Sequence, residues 1–189
     1  MHPTRQQILD TAPTVFAENG FSGTSTRKLA AAAGCNIATL AYHFGDKQGL
    51  YEAAIDHVYG ALLDAPLPSL EDAPRRERLK TFMDAIYTTA CTHRDGIRLL
   101  LRHVIAHGSL PSKVARRWRP RLMARVQEVL DTLGISEADP MVLLSLNHLV
   151  ARYAISDPTD IASFSLGRDP HEAVVQHLTR IASNQLGIS

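Results

Sequence analysis

Residues 24–51 read TSTRKLAAAAGCNIATLAYHFGDKQGLY, and the punctuation of this stretch decides the fold. Thr24 or Ser25 can cap a helix carrying Leu29, Ala30 and Ala33, because a hydroxyl accepts a first-turn amide that has no partner of its own. Gly34 ends that helix, since glycine enters the left-handed turn backbone without a Cβ clash. Asn36 can cap a third, short helix reaching about Phe44, and Asp46 a fourth reaching about Leu63. Two short helices joined at Gly34-Cys35-Asn36 form a helix-turn-helix corner. Ala30 and Ala33 let the helices approach closely, while Leu29, Leu40 and Phe44 fasten the third helix to its neighbours. Ile37, Ala38, Thr39, Tyr42 and His43 are left to face outward. An exposed helix of this size fits the major groove of duplex DNA.

Upstream, Ile8, Ala12, Val15 and Phe16 share one face of a first helix that Gly20 closes. Pro13 interrupts it, removing an amide donor and crowding the carbonyl of Leu9 at a cost of about 3 kcal/mol, so a kink is expected there. Downstream, residues 65–73 carry Pro66 and Pro68 and read as a connection. Pro74 opens a helix to about Thr92, and another spans roughly Arg94 to His107. Pro111 opens a third, bent at Pro120 and ending near Gly134. Asp139 and Pro140 open a fourth, to about Ile155. Residues 156–168 read as a long loop, and Asp169-Pro170 begin a last helix ending near Gly187. Helical periodicity persists and strand-like alternation does not, so the expectation is an all-α fold of about nine helices. Its first 46 residues form a three-helix domain, and residues 47–189 a helical bundle.

Composition narrows the class. Among 189 residues, 45% are hydrophobic, which suits a sizeable core. No apolar run approaches the roughly 18 to 20 residues that span a bilayer. The opening MHPTRQQILD lacks the layout of a secretion signal. Cys35 and Cys91 stand far apart without metal-type spacing, as suits a reducing cytoplasm. Formal net charge is only +1, but residues 75–125 hold thirteen Lys and Arg against three acids. A solvated basic face is the simpler reading; a surface near DNA or an anionic-ligand site is the sharper one.

An enzyme finds little support. His103 and His107 are spaced i, i+4 and could grip one metal from a helix face. The zinc-protease pattern needs Glu where Val104 stands, and after His171-Glu172 its second histidine is replaced by Val175. Nucleophile elbow, phosphate loop and dinucleotide fingerprint are all missing. No catalytic residue, cofactor or metal is therefore expected.

The run from Thr24 to Ala30, then Ala33-Gly34-Cys35-Asn36, Leu40-Ala41-Tyr42-His43-Phe44-Gly45-Asp46-Lys47 and Leu50-Tyr51, resembles the tetracycline-repressor (TetR) family of bacterial regulators. Phe16-Ala17-Glu18-Asn19-Gly20-Phe21 is similar to the end of that family's first helix, so the resemblance covers about residues 4 to 52. It implies a DNA-binding set of Thr26, Arg27, Asn36, Thr39, Tyr42, His43 and Lys47. Arg27 would reach a base edge or phosphate and Thr26 a phosphate. Thr39 and His43 would face bases or backbone, and Tyr42 would lay its ring on the sugar-phosphate strand. Lys47 would make a charge-assisted phosphate contact. Ala41 stands where the family commonly has an aromatic, so that contact is absent. Cys35 replaces a small aliphatic residue and reads as core rather than redox sensor.

The resemblance further implies a cytoplasmic, homodimeric, ligand-responsive repressor on a palindromic operator of double-stranded DNA. A constitutive or activating regulator, or a helical interaction module without DNA binding, stands as the alternative. In the family the C-terminal helices supply dimer interface and effector pocket. Met141, Leu144, Leu149 and Tyr153, with Val174, Leu178 and Ile181 of the last helix, suit an interface of four helices across two subunits; burial within one subunit is the competing explanation. For a pocket the sequence offers Tyr87, Arg98, Arg102, His103, Trp118 and His148, with Met83, Cys91, His107 and Met123 beside them. Arg98 and Arg102, one turn apart, could pair with an anionic group.

Overall fold

A computed structural model describes residues 4–68 and 73–188, so part of the 65–73 connection, residues 69–72, lies outside the described residues. The described chain is all-α and holds ten helices: α1 (Arg5–Gly23), α2 (Thr26–Ala32), α3 (Ile37–Phe44), α4 (Lys47–Leu63), α5 (Arg75–Thr92), α6 (Arg94–His107), α7 (Ser112–Thr132), α8 (Pro140–Ile155), α9 (Pro158–Phe164) and α10 (Pro170–Leu186). The tenth corrects the expected loop at 156–168. Asp157 accepts the Thr159 amide at 2.8 Å and Pro158 stands at the first helical position, so α9 has the same Asp-Pro start as α8 and α10. Seven residues are too few to show a hydrophobic period.

Caps fix the remaining starts. Thr4 and Gln7 form a reciprocal capping box on α1. The Ser25 hydroxyl accepts the Lys28 amide at 3.1 Å and the Asp46 carboxylate the Gly49 amide at 2.8 Å. Helical dihedrals run through Pro13, which is buried; the break in α1 falls at Gly20, with φ +68° and ψ 173°. That corrects the expected kink. Near the middle of α1 the proline removes one amide, whereas only glycine tolerates the backbone at residue 20. Pro120 likewise sits inside an uninterrupted α7.

The contacts divide the chain into two compact units. One holds residues up to Asp64 together with Asp95–Pro120; the other holds Ala65–Arg94 with Arg121–Ser189. In the first unit α1 packs on α4 and α2, and α3 on α2 and α4. Phe16, Leu40, Leu50, Ile55, Leu99, Val114 and Trp118 belong to one continuous core, so α6 and the start of α7 extend the three-helix head. Cys35 packs at the edge of that core. Trp118 is buried and donates its indole N–H to Asp56 at 2.6 Å.

In the second unit α10 packs on α5 and α8, and α5 on α8. Leu79, Phe82, Val174, Val175 and Leu178 are buried there. Arg75 and Arg78 cover the C-terminal carbonyls of α7: Arg75 Nη2 donates to Gly134 at 2.7 Å and Arg78 Nη1 to Thr132 at 2.6 Å. Cations at a helix C-terminus also complement its partial negative charge. Among the described residues, no helix is long and apolar enough to cross a membrane.

Candidate nucleic-acid interface

The corner between α2 and α3 forms as its residues dictate. Gly34 adopts φ +66°, and the amides of Gly34 and Cys35 close the end of α2 on Ala31 and Ala30 at 3.2 and 2.9 Å. Asn36 then starts α3, its side-chain oxygen accepting the Thr39 amide at 2.8 Å and the Thr39 hydroxyl at 3.1 Å. Asn36 therefore orders the helix from inside its first turn. Only Leu40 of α3 is fully buried; it anchors the helix while the opposite side stays open.

Tyr42 is 85% exposed and Ile37 45%, although both are large and apolar in part. The Tyr42 ring meets the half-buried His43 ring edge-on, with centroids 5.1 Å apart. Arg27 and Lys28 project from α2 as exposed residues, Lys28 donating to Asn19 at 2.5 Å, while Thr26 and Thr39 are half-buried. Thr26, Arg27, Thr39, Tyr42 and His43 thus sit on the two helices of the corner.

Lys47 makes contacts within the head that the sequence does not suggest. Its ammonium donates to the carbonyls of Phe21 and Thr24 at 2.9 and 3.0 Å and lies over the Phe21 ring. Two of its three donors tie α4 to the link between α1 and α2, leaving one for a phosphate. The Gly20 break frees carbonyls near the end of α1. Arg102 uses the same opportunity. Its guanidinium donates to Ala17 at 2.8 Å and lies against Gly20.

The candidate pocket residues fall in both units. Arg98, Arg102, His103 and Trp118 belong to the first unit, Tyr87 and His148 to the second. Arg98 pairs with Asp95 at 3.4 Å. His103 is 7% exposed, its Nδ1 lies 3.2 Å from the Tyr51 hydroxyl, and its ring stacks on His107. Burial first, then the His107 charge, pushes the His103 pKa below its ordinary value, against a smaller opposing effect of Glu52. Tyr87 is buried on α5 beside the ring of His171; desolvation and a hydrogen bond with Cys91 raise its phenol pKa. His148 is exposed. Among the described residues no group of three or more His, Cys, Asp and Glu is arranged to hold a metal.

The expected dimer face also splits. Val174 and Leu178 are core of the second unit, because that side of α10 is taken up by α5; they cannot line an interface. Met141 is 63% exposed and Leu144 45%, and both lie on α8. Met141, Leu149 and Ile181 border a shallow groove of about 200 Å³ between α8 and α10. Tyr153 is half-buried, edge-on to His177.

Residues 8–54 match the bacterial regulatory proteins of the tetR family. The match covers the three-helix head and the first part of α4. Parts of the chain are also similar to curated transcriptional repressors. The HTH-type transcriptional repressor AcnR of Corynebacterium glutamicum is 42% identical over 50 residues, which are 26% of this chain and 27% of AcnR. The HTH-type transcriptional repressor KstR2 of Rhodococcus jostii is 28% identical over 105 residues, 51% of this chain and 52% of KstR2. The chain thus spans about half or less of the length of these relatives.

The tetR-like fold covers nearly the whole chain. A TetR-like transcriptional regulator from Rhodococcus sp. RHA1 superposes with a TM-score of 0.64 at 22% identity, over 97% of this chain and 96% of that one. A TetR family transcription regulator from Marinobacter aquaeolei VT8 gives a TM-score of 0.67 at 21% identity, over 96% and 94%. At these identities the likeness shows the fold alone.

Proposed function

We propose that this chain is a sequence-specific DNA-binding regulator of transcription, working in the cytoplasm as a homodimer on a palindromic operator. One observation carries the reading. A tetR-family head holds α3 on a single buried leucine and keeps Tyr42 open on the far side. Thr26, Arg27, Thr39, Tyr42 and His43 would supply base and phosphate contacts, and Lys47 one phosphate contact from its remaining donor. Phosphate contacts provide most of the affinity, and one head offers few, so two heads are needed for tight binding.

Pairing through the exposed part of α8, around Met141 and Leu144, would supply the second copy. The relatives AcnR and KstR2 are named repressors, which supports repression as the output. A small-molecule effector would act by favouring one arrangement of residues 47–189 over another, and could shift operator affinity by no more than its differential affinity for the two. The roles printed for the relatives are regulatory, and no catalytic role is proposed.

Selection of bound sequences from a random DNA pool tests the reading. Enrichment of a palindrome with half-sites about 10 base pairs apart, or a multiple of that, is expected. A pool that stays random through successive rounds would overturn it.

A further inference from the structure

The side chains of α3 narrow what its open side can read. Residues 37–44 run IATLAYHF and contain no Arg, Lys, Asn or Gln. Arginine or lysine reads guanine, and asparagine or glutamine reads adenine, through paired hydrogen bonds, and none of these can come from within this helix. Asn36, just before it, does not fill the gap. Its side-chain oxygen already receives the Thr39 amide at 2.8 Å and the Thr39 hydroxyl at 3.1 Å, so the acceptor half of an adenine pair is engaged. Around the corner, Lys28 donates to Asn19, Lys47 to Phe21 and Thr24, and Arg5 lies over the Phe44 ring. Arg27 is exposed, but on α2.

What α3 does present is hydrocarbon. Leu40 is its buried anchor. A helix turns about 100° per residue, so Ala38 and Tyr42 lie on the side opposite Leu40, and Ile37 and Ala41, one turn apart, flank them. All four are exposed, while Thr39 and His43 on the other flank are half-buried. Ile37 is the bulkiest aliphatic group of this face and keeps 45% of its surface open. It is also the first residue of the helix. In a helix-turn-helix the N-terminal residues of the second helix are those that meet base edges. The alanines at 38 and 41 add little bulk beside it, so a base edge can come close to the helix backbone there.

We propose that Ile37 is a specificity-determining residue that packs on the C5-methyl group of a thymine in the major groove, with Ala38 and Ala41 leaving room for the base to approach. The inference rests on the DNA-binding reading and deepens it, because it names what α3 selects. In the major groove the thymine methyl is the apolar group that base pairs offer, and apolar side chains are its partners. Sequence choice by α3 would then come from methyl contacts rather than from paired hydrogen bonds.

The test uses the full chain and the operator recovered by selection from unmodified DNA. Each thymine of a half-site is replaced in turn by uracil, which removes the methyl and leaves the hydrogen-bonding edges intact. Wild-type protein is expected to bind about fourfold more weakly when the thymine under Ile37 is the one replaced, the fold-change of one buried methyl group. 5-Methylcytosine carries the same group, so at that position its pair with guanine is expected to bind about fourfold tighter than an unmethylated cytosine–guanine pair. Ile37→Ala is expected to bind the thymine and uracil operators about equally. Alanine favours helix and the position is exposed, so the variant folds. Wild-type affinity that no uracil lowers overturns this inference alone, and that arm needs no variant. A selected half-site without thymine does the same, as does a uracil penalty undiminished in Ile37→Ala. Failure of the wild type to bind any duplex overturns it together with the DNA-binding reading.

Discussion

The ammonium of Lys47 lies 4.2 Å from the centre of the Phe21 ring and donates to the Phe21 carbonyl at 2.9 Å. One residue thereby closes α4 onto the break that Gly20 makes in α1. Replacing it with an isosteric apolar residue, Lys47→Met, removes that bond, the one to Thr24 and the cation–ring contact. A loss of about 1–3 kcal/mol in urea unfolding is expected. A variant as stable as wild type would show that the tie contributes nothing.

Tyr42 provides the opposite case. Its side chain is exposed and meets the His43 ring edge-on, so Tyr42→Ala should change stability by no more than about 0.5 kcal/mol. Affinity for a selected operator should fall about tenfold, similarly across related sequences if the lost contact is to phosphate. Fluorescence anisotropy with labelled duplexes would measure it, and undiminished affinity would remove Tyr42 from the interface.

Gly96 lets α6 approach α4. A Cβ built there would meet Val58 Cγ1 at 2.7 Å and Cγ2 at 2.9 Å. Gly96→Ala should cost about 1–3 kcal/mol through overpacking. Adding Val58→Ala should recover part of the loss, because the two changes share one contact. Strictly additive effects in a double-mutant cycle would contradict that explanation.

His103 makes stability depend on pH in a defined direction. Its folded pKa lies below the ordinary 6.5, chiefly because the ring is buried and secondarily because His107 is beside it. As pH falls through 6.5 the unfolded chain takes the proton first, so stability declines from there and keeps declining until the folded form is protonated too. His103→Gln lacks this contribution and should give a flatter stability curve between about pH 7.5 and 5. Curves that run parallel for the two proteins would refute the assignment.

The exposed and buried apolar residues of the last helices should behave differently. Met141→Glu with Leu144→Glu should abolish dimers in analytical ultracentrifugation while leaving helicity intact. Leu178→Ala should instead destabilise each subunit by about 2–5 kcal/mol, as expected for a cavity in a packed core. A dimer that persists through both glutamates would move the interface elsewhere.

Much of the fold was legible because its starts are written in side chains. Ser25, Asn36, Asp46, Asp139 and Asp169 each cap the helix that follows, and each does so by accepting a local amide that sequence alone exposes. The outward set on α3 was legible for a similar reason, since Leu40 is the residue that fixes which way the helix turns. The ties made by Lys47 and Arg102 were not, because they reach across 26 and 85 residues to carbonyls that every sequence possesses. Val174 and Leu178 misled as interface residues because a stripe records only that one side of a helix is covered. Whether α5 or a second subunit covers it depends on how distant helices meet.

On the DNA-binding reading, Asn36 would also affect what α3 recognises. By receiving the Thr39 hydroxyl hydrogen at 3.1 Å it leaves that oxygen with lone pairs alone to offer a base, next to a methyl group. The amino groups of cytosine and adenine, or the methyl of thymine, complement such a surface in the major groove; the guanine edge, which presents acceptors there, does not. On that reading, a cap that starts a helix would also bias the alphabet that the helix can spell.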